Sequence, residues 1–104
     1  MKECRLSQEA VVEIAEAVAW YGARQPGLDT ESLNEVERAL PVLAEQPESF
    51  PLLLDLPEDL SIRRALLPRF PDALVFVDLP SQVRVLAVAH LRRQQGYWLN
   101  RIRS

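Results

Sequence analysis

Residues 72–90 read DALVFVDLPSQVRVLAVAH. Ala73–Asp78 and Gln82–Ala89 are rich in Val, Leu and Phe at strand length, and Leu79-Pro80-Ser81 between them carries turn residues. The stretch therefore predicts a β-hairpin. In its second arm Val83, Val85, Ala87 and Ala89 face one way, and Arg84, Leu86, Val88 and His90 the other. Both sets are apolar in the middle, which places this strand inside a sheet rather than at its edge. Upstream, Ser61–Leu67 reads as a further strand, so the second half of the chain is expected to be an antiparallel meander.

Towards the N-terminus the period changes. Val11, Ile14, Val18 and Tyr21 fall at i, i+3, i+7 and i+10, one stripe of a helix over Gln8–Arg24 that Ser7 can cap. Glu9, Glu13 and Glu16 share another face, continued by Trp20, and read as a solvated face or as a contact to a partner. Gln25-Pro26-Gly27-Leu28 is a turn. Asp29 or Thr30 can cap a second helix, whose stripe is Leu33, Val36, Leu40 and Leu43. The short link makes the two helices an antiparallel hairpin. Pro41 predicts a kink or break near Leu40. Lys2–Leu6 reads as a short first strand. Gln46–Leu60, with Pro47, Pro51 and Pro57, reads as an ordered loop laying Leu52, Leu53 and Leu54 on the core. The fold expected is α+β. It has a short N-terminal strand and a helix hairpin packed on an antiparallel sheet of three or four strands, followed by a basic C-terminal tail.

Composition narrows the function. The chain has 104 residues, 48% hydrophobic and 26% charged, the balance of one globular domain over residues 1–104. One cysteine, Cys4, and one histidine, His90, exclude an internal disulfide and multi-cysteine or paired-histidine metal sites, so no metal or cofactor is expected. Cys4 reads as a small core residue. Lys2, Glu3 and Arg5 precede no apolar stretch of signal-peptide type, and no run approaches the about 20 residues of a membrane span. A cytoplasmic bacterial protein is the expectation. The net charge of −3 hides a split. Residues 1–59 carry 4 basic and 13 acidic side chains, while residues 60–104 carry 8 basic, all arginine, and 2 acidic. Two oppositely charged halves either attract each other within the fold or form two working surfaces.

Candidate binding residues lie in the arginine-rich half. Arg63 and Arg64 fall on opposite faces of their strand, so with Arg69 they cannot all serve one surface. In the tail Arg92, Arg93, Arg101 and Arg103 surround Tyr97 and Trp98, the residue types enriched in binding hot spots and suited to stacking single-stranded nucleic acid. The alternative is that the two aromatics cover the end of the sheet. Gly22, Gly27 and Gly96 are isolated and form no phosphate loop, and no serine lies in a nucleophile motif.

Taken in order, several stretches resemble the RelE/ParE superfamily of toxins from type II toxin–antitoxin systems, most closely its ParE-like branch. They are Trp20-Tyr21, Pro26-Gly27-Leu28, Glu35–Leu40, Ile62–Leu67 with Arg69-Phe70-Pro71, and Val85–His90 with Arg92-Arg93 and Gly96-Tyr97-Trp98. The resemblance implies a growth-inhibiting toxin neutralised by a cognate antitoxin, alone or as a homodimer or hetero-oligomer. ParE-like members act on DNA gyrase without catalysis, and their C-terminal region is linked to toxicity. RelE-like members cleave mRNA on the ribosome.

RNA cleavage needs a base, an acid and cations around the phosphate. His90 with Arg92, Arg93 and Arg64 would be the catalytic set. The match to the ribonucleases is incomplete. Ala73 stands where they carry an arginine, Leu91 where they carry tyrosine or arginine, and no lysine follows Lys2. Glu58 could act as a base only if its loop folds back to His90. His90 can equally be a strand-end residue bonded to a backbone carbonyl. The sequence thus favours a gyrase-binding toxin, with a ribosome-dependent mRNA endoribonuclease or a non-toxic binding module as alternatives.

Overall fold

The 72–90 hairpin forms as read, and the rest of the chain is arranged on it. The computed structural model describes residues 2–53, 61–93 and 96–103, with Arg103 described by its backbone alone. The elements are β1 (Glu3–Leu6), α1 (Gln8–Arg24), α2 (Leu28–Glu45), β2 (Ile62–Leu66), β3 (Asp72–Asp78) and β4 (Gln82–His90), with short 3-10 turns at Pro47–Ser49 and Leu99–Arg103. Leu54 and Glu58 lie outside the described residues, so the predicted loop is described only as far as Leu53.

The sheet order is β1-β4-β3-β2, which makes β4 an interior strand as its two apolar faces required. β2–β3 and β3–β4 are antiparallel, whereas β1 joins β4 in parallel, with Leu6 opposite Val85. The sheet is therefore mixed. A strand delivered to the edge by a segment remote in sequence is under no hairpin constraint, and parallel pairing is open to it. The opposite edge is covered by residues 51–53: Leu52 bridges to Arg63, and the Leu53 N–H donates to the Ile62 carbonyl at 2.9 Å.

Ser7 caps α1, its Oγ accepting the Ala10 N–H at 3.1 Å. The face turned to the sheet is Ala10, Ile14, Ala17 and Tyr21, one step round from the predicted stripe, and Val11 is exposed. Small residues let the helix sit close to the strands, so packing rather than hydrophobicity alone selects the face. Helix α2 starts directly at Leu28 because Gly27 takes the left-handed conformation (φ 98°). No side chain caps it, so Asp29 and Thr30 are inside the first turn rather than N-caps. Where the helices cross, a Cβ on Gly22 would lie 2.9 Å from the Asp29 Cβ, so glycine allows the approach.

Pro41 does not break α2, which continues to Glu45 and is closed by the Gln46 N–H on the Val42 carbonyl. Beyond the proline Leu43 and Ala44 are buried. Burying a leucine contributes about 1.5–3 kcal/mol, comparable to the cost of about 3 kcal/mol for an interior proline. Core burial thus holds the last turn in place.

The register of β3 on β4 shifts between Val75 and Phe76, which face Ala87 and Val85 and leave Leu86 unopposed as a bulge. The predicted alternation holds up to Leu86 and reverses after it. Val83, Val85 and Val88 join the helix-side core with Tyr21, Leu43, Leu74 and Phe76. Leu86 and Ala87 join a second core on the other face with Ile62, Val75, Val77 and Trp98. No helix among the described residues is long and apolar enough to cross a membrane.

Candidate partner-binding surface

β1 covers the outer edge of β4 only as far as Val85. Beyond it, side chains occupy the edge. The Leu86 carbonyl at the bulge accepts the Ser7 hydroxyl at 3.2 Å and Arg101 Nη1 at 3.1 Å. The Val88 N–H donates to Glu13 Oε1 at 3.0 Å. Arg101 grips both Glu13 oxygens at 2.8 and 3.2 Å, and the Tyr97 hydroxyl donates to Oε2 at 2.8 Å. Arg93 Nη1 lies 3.6 Å from the same oxygen. The Glu13 side chain is 10% exposed and that of Arg101 is 15% exposed, so this ion pair is shielded from water. Two parallel charge-assisted bonds in that setting are strong and directional.

Electrostatics follow the geometry. The Glu13 hydrogen bond holds the Arg101 guanidinium above its ordinary value. Burial, then the bond to Glu13, pushes the Tyr97 phenol up to about 12. Glu13 is therefore not one of three solvated glutamates: it fastens the C-terminal tail to α1. Its spacing carried a signal, since it lies between Ala10 and Ala17 on the small-residue face. That face was identifiable only once packing had selected it over the Val11 stripe.

The tail residues thus divide. Trp98 is 1% exposed and roofs the second core, with Leu53, Leu79 and Ile102 beside it. It offers no face to a partner, unlike the expectation that paired it with Tyr97 as a contact. Tyr97 is half-buried under Arg93, whose guanidinium carbon lies 3.6 Å from the ring centroid. Arg101 is committed to Glu13, and Arg103 ends the last turn. In the sheet, Arg63 donates to the Phe50 carbonyl at 2.6 Å, fastening the 46–53 segment from the helix side. Arg69, in the left-handed conformation (φ 73°), pairs with Glu31 at 3.1 Å on the surface.

What remains outward is the end of β4. His90, Leu91 and Arg92 are exposed. His90 Nδ1 accepts the Arg92 N–H at 3.1 Å, so this ring nitrogen is the acceptor and the backbone bond sets the ring's orientation. That differs from the carbonyl-bonded histidine expected. A small hollow of about 70 Å³ beside it is lined by Leu53, Arg64, Ala73, His90, Arg93 and Trp98, among others. The structure thus gathers Arg64, His90 and Arg93, three of the four candidate ribonuclease residues, and leaves Arg92 outside. No carboxylate lines the hollow among the described residues, and Ala73 in its wall brings no cation. Glu58 lies outside the described residues. Across the sheet end, a groove of about 370 Å³ runs between α1 and β4. No three His, Cys, Asp or Glu side chains among the described residues stand together to hold a metal ion.

No family model and no curated protein sequence matches the chain. Its fold is similar to that of a solved chain described as the chromosomal ParDE TA system from P. aeruginosa. The TM-score is 0.74 at 13% identity, over 86% of this chain and 96% of that one. The likeness lies in the course of the backbone: the chain has the fold found in that ParDE system.

Proposed function

We propose that this chain is the toxin of a type II toxin–antitoxin pair, a ParE-like protein that arrests growth by binding DNA gyrase and is held inactive by a cognate antitoxin. The observation that carries the reading is the fold shared with a chain of a ParDE TA system over most of both lengths. Action by binding is supported by the incomplete ribonuclease set: Ala73 in the wall of the hollow at His90 brings no cation, and Arg92 stands outside that hollow. The exposed Leu91-Arg92 tip, with Arg64 and Arg93 behind it, is the surface assigned to the target. The proposed site of action is the bacterial cytoplasm.

One observation favours a second reading, a ribosome-dependent mRNA endoribonuclease: Arg64, His90 and Arg93 do converge on one hollow. Induction of the chain alone in a bacterium, followed by pulse labelling, separates the two. The proposal expects DNA synthesis to fall first, with His90→Ala still toxic. An earlier fall in protein synthesis, abolished by His90→Ala, would establish the nuclease instead. If neither falls, the toxin reading is wrong.

A further inference from the structure

The groove between α1 and β4 has no role in the reading above. Its walls are Ala17, Trp20, Tyr21 and Val88, with Glu16 and Asp72 set among them and His90 at one end. Glu13 and Arg93 border it but are engaged with each other and with the tail. The carboxylates left facing the groove are Glu16, which is exposed, and Asp72, which is 6% exposed.

Asp72 is buried at the groove wall, and its Oδ2 accepts the Tyr21 hydroxyl. A carboxylate has room for several donors, so it can take a further N–H from the groove. Trp20, on the same groove, is 53% exposed. It stands edge-on to Tyr21 at 5.3 Å, and the Arg24 guanidinium carbon lies 4.2 Å from its centroid. The ring thus already stacks one guanidinium of its own chain.

We infer that this groove is a docking site for an arginine side chain presented by a segment of a partner protein. Arginine fits the walls better than lysine. Its planar head stacks on an indole and donates in a fork to carboxylates, and its stem lies along Ala17 and Val88. Charge complementarity selects the occupant: Glu16 and Asp72 line the groove, while Arg93 at its border is engaged with Glu13 and Tyr97. The inference concerns the groove alone and stands whichever cellular target the chain has.

The test uses the full chain and two fluorescein-labelled peptides of alanine and leucine, alike except for one central residue, arginine or its neutral isostere citrulline. Anisotropy titration should show the arginine peptide binding about tenfold tighter, the scale of a charge-assisted bond with ring stacking. Trp20→Ala should remove most of that preference, and Glu16→Gln about threefold of it; both positions are exposed, so the fold survives either change. Asp72→Asn should act like Trp20→Ala if its melting temperature shows that it folds. Equal binding of the two peptides would make the groove a merely apolar surface and overturn the inference. So would a preference unchanged in Trp20→Ala, or no binding of either peptide at millimolar concentration.

Discussion

The two faces of the sheet are both filled, but by different means. The helix side is packed by residues that recur with helical or strand period: Ala10, Tyr21, Val36, Leu43, Leu74, Phe76 and Val85. The other side is closed by Trp98, carried on a tail with no regular period and fastened by one carboxylate on the opposite layer. Periodic burial is distributed over many residues and tolerates local change. A roof held by Glu13 and Trp98 concentrates its stability in a few side chains, so that a basic, aromatic segment can be structural while looking like a binding tail.

The comparison can be broken most forcefully at its two largest buried side chains. Phe76→Ala on the helix side and Trp98→Ala on the tail side should each cost about 3–5 kcal/mol by urea unfolding, the usual range for deleting a buried aromatic. A loss below about 1 kcal/mol for Trp98→Ala alone would mean the second face is not a core.

Next comes the fastening. Glu13→Gln keeps the side chain's size but removes the charge opposite Arg101 and puts an amide where donors converge. It should cost about 3 kcal/mol, as for a shielded pair that loses one partner. Hydrogen exchange should show the Val88 amide losing protection in this variant while helix-side amides such as that of Leu43 change less.

The smallest effect is one of pH. The Tyr97 phenol is raised in the folded chain from its ordinary value near 10 to about 12. A raised value means that folding holds the proton. The associated stability is complete below about pH 10 and is lost as pH rises towards 12. Tyr97→Phe should therefore lower stability slightly at neutral pH and flatten the decline of melting temperature above pH 10. Tyr21, raised by burial and by its bond to Asp72, should retain the rest of that decline.

The same contrast explains what could be read from residues alone. The 72–90 hairpin, the interior position of β4, the Ser7 cap and the limits of α1 follow from local period and local chemistry. The Leu86 bulge does not, because Val85-Leu86-Ala87-Val88 is apolar on either alternation and nothing local marks the extra residue. Continuity of α2 through Pro41 depended on the burial of Leu43 and Ala44, a tertiary effect that overrides local preference. The site was less legible. Arg64, His90 and Arg93 do meet, but Glu13 and Asp72 acquire their roles from partners 51 to 88 residues away in sequence. Trp98 and Arg101 carry binding chemistry that the core and Glu13 take up.

This bears on how the proposed toxin should be dissected. A tail deletion removes a structural roof, so loss of toxicity on deletion does not identify a binding surface; point variants of Leu91 and Arg92 do. The most direct measurement is the urea midpoint of a chain ending at Arg93, which lacks Trp98 and Arg101, against the full chain. The account predicts loss of the cooperative transition or a fall of several kcal/mol, the scale of a lost aromatic and a broken shielded ion pair together. An unchanged midpoint would show that the tail is an accessory and that the second face of the sheet needs no roof.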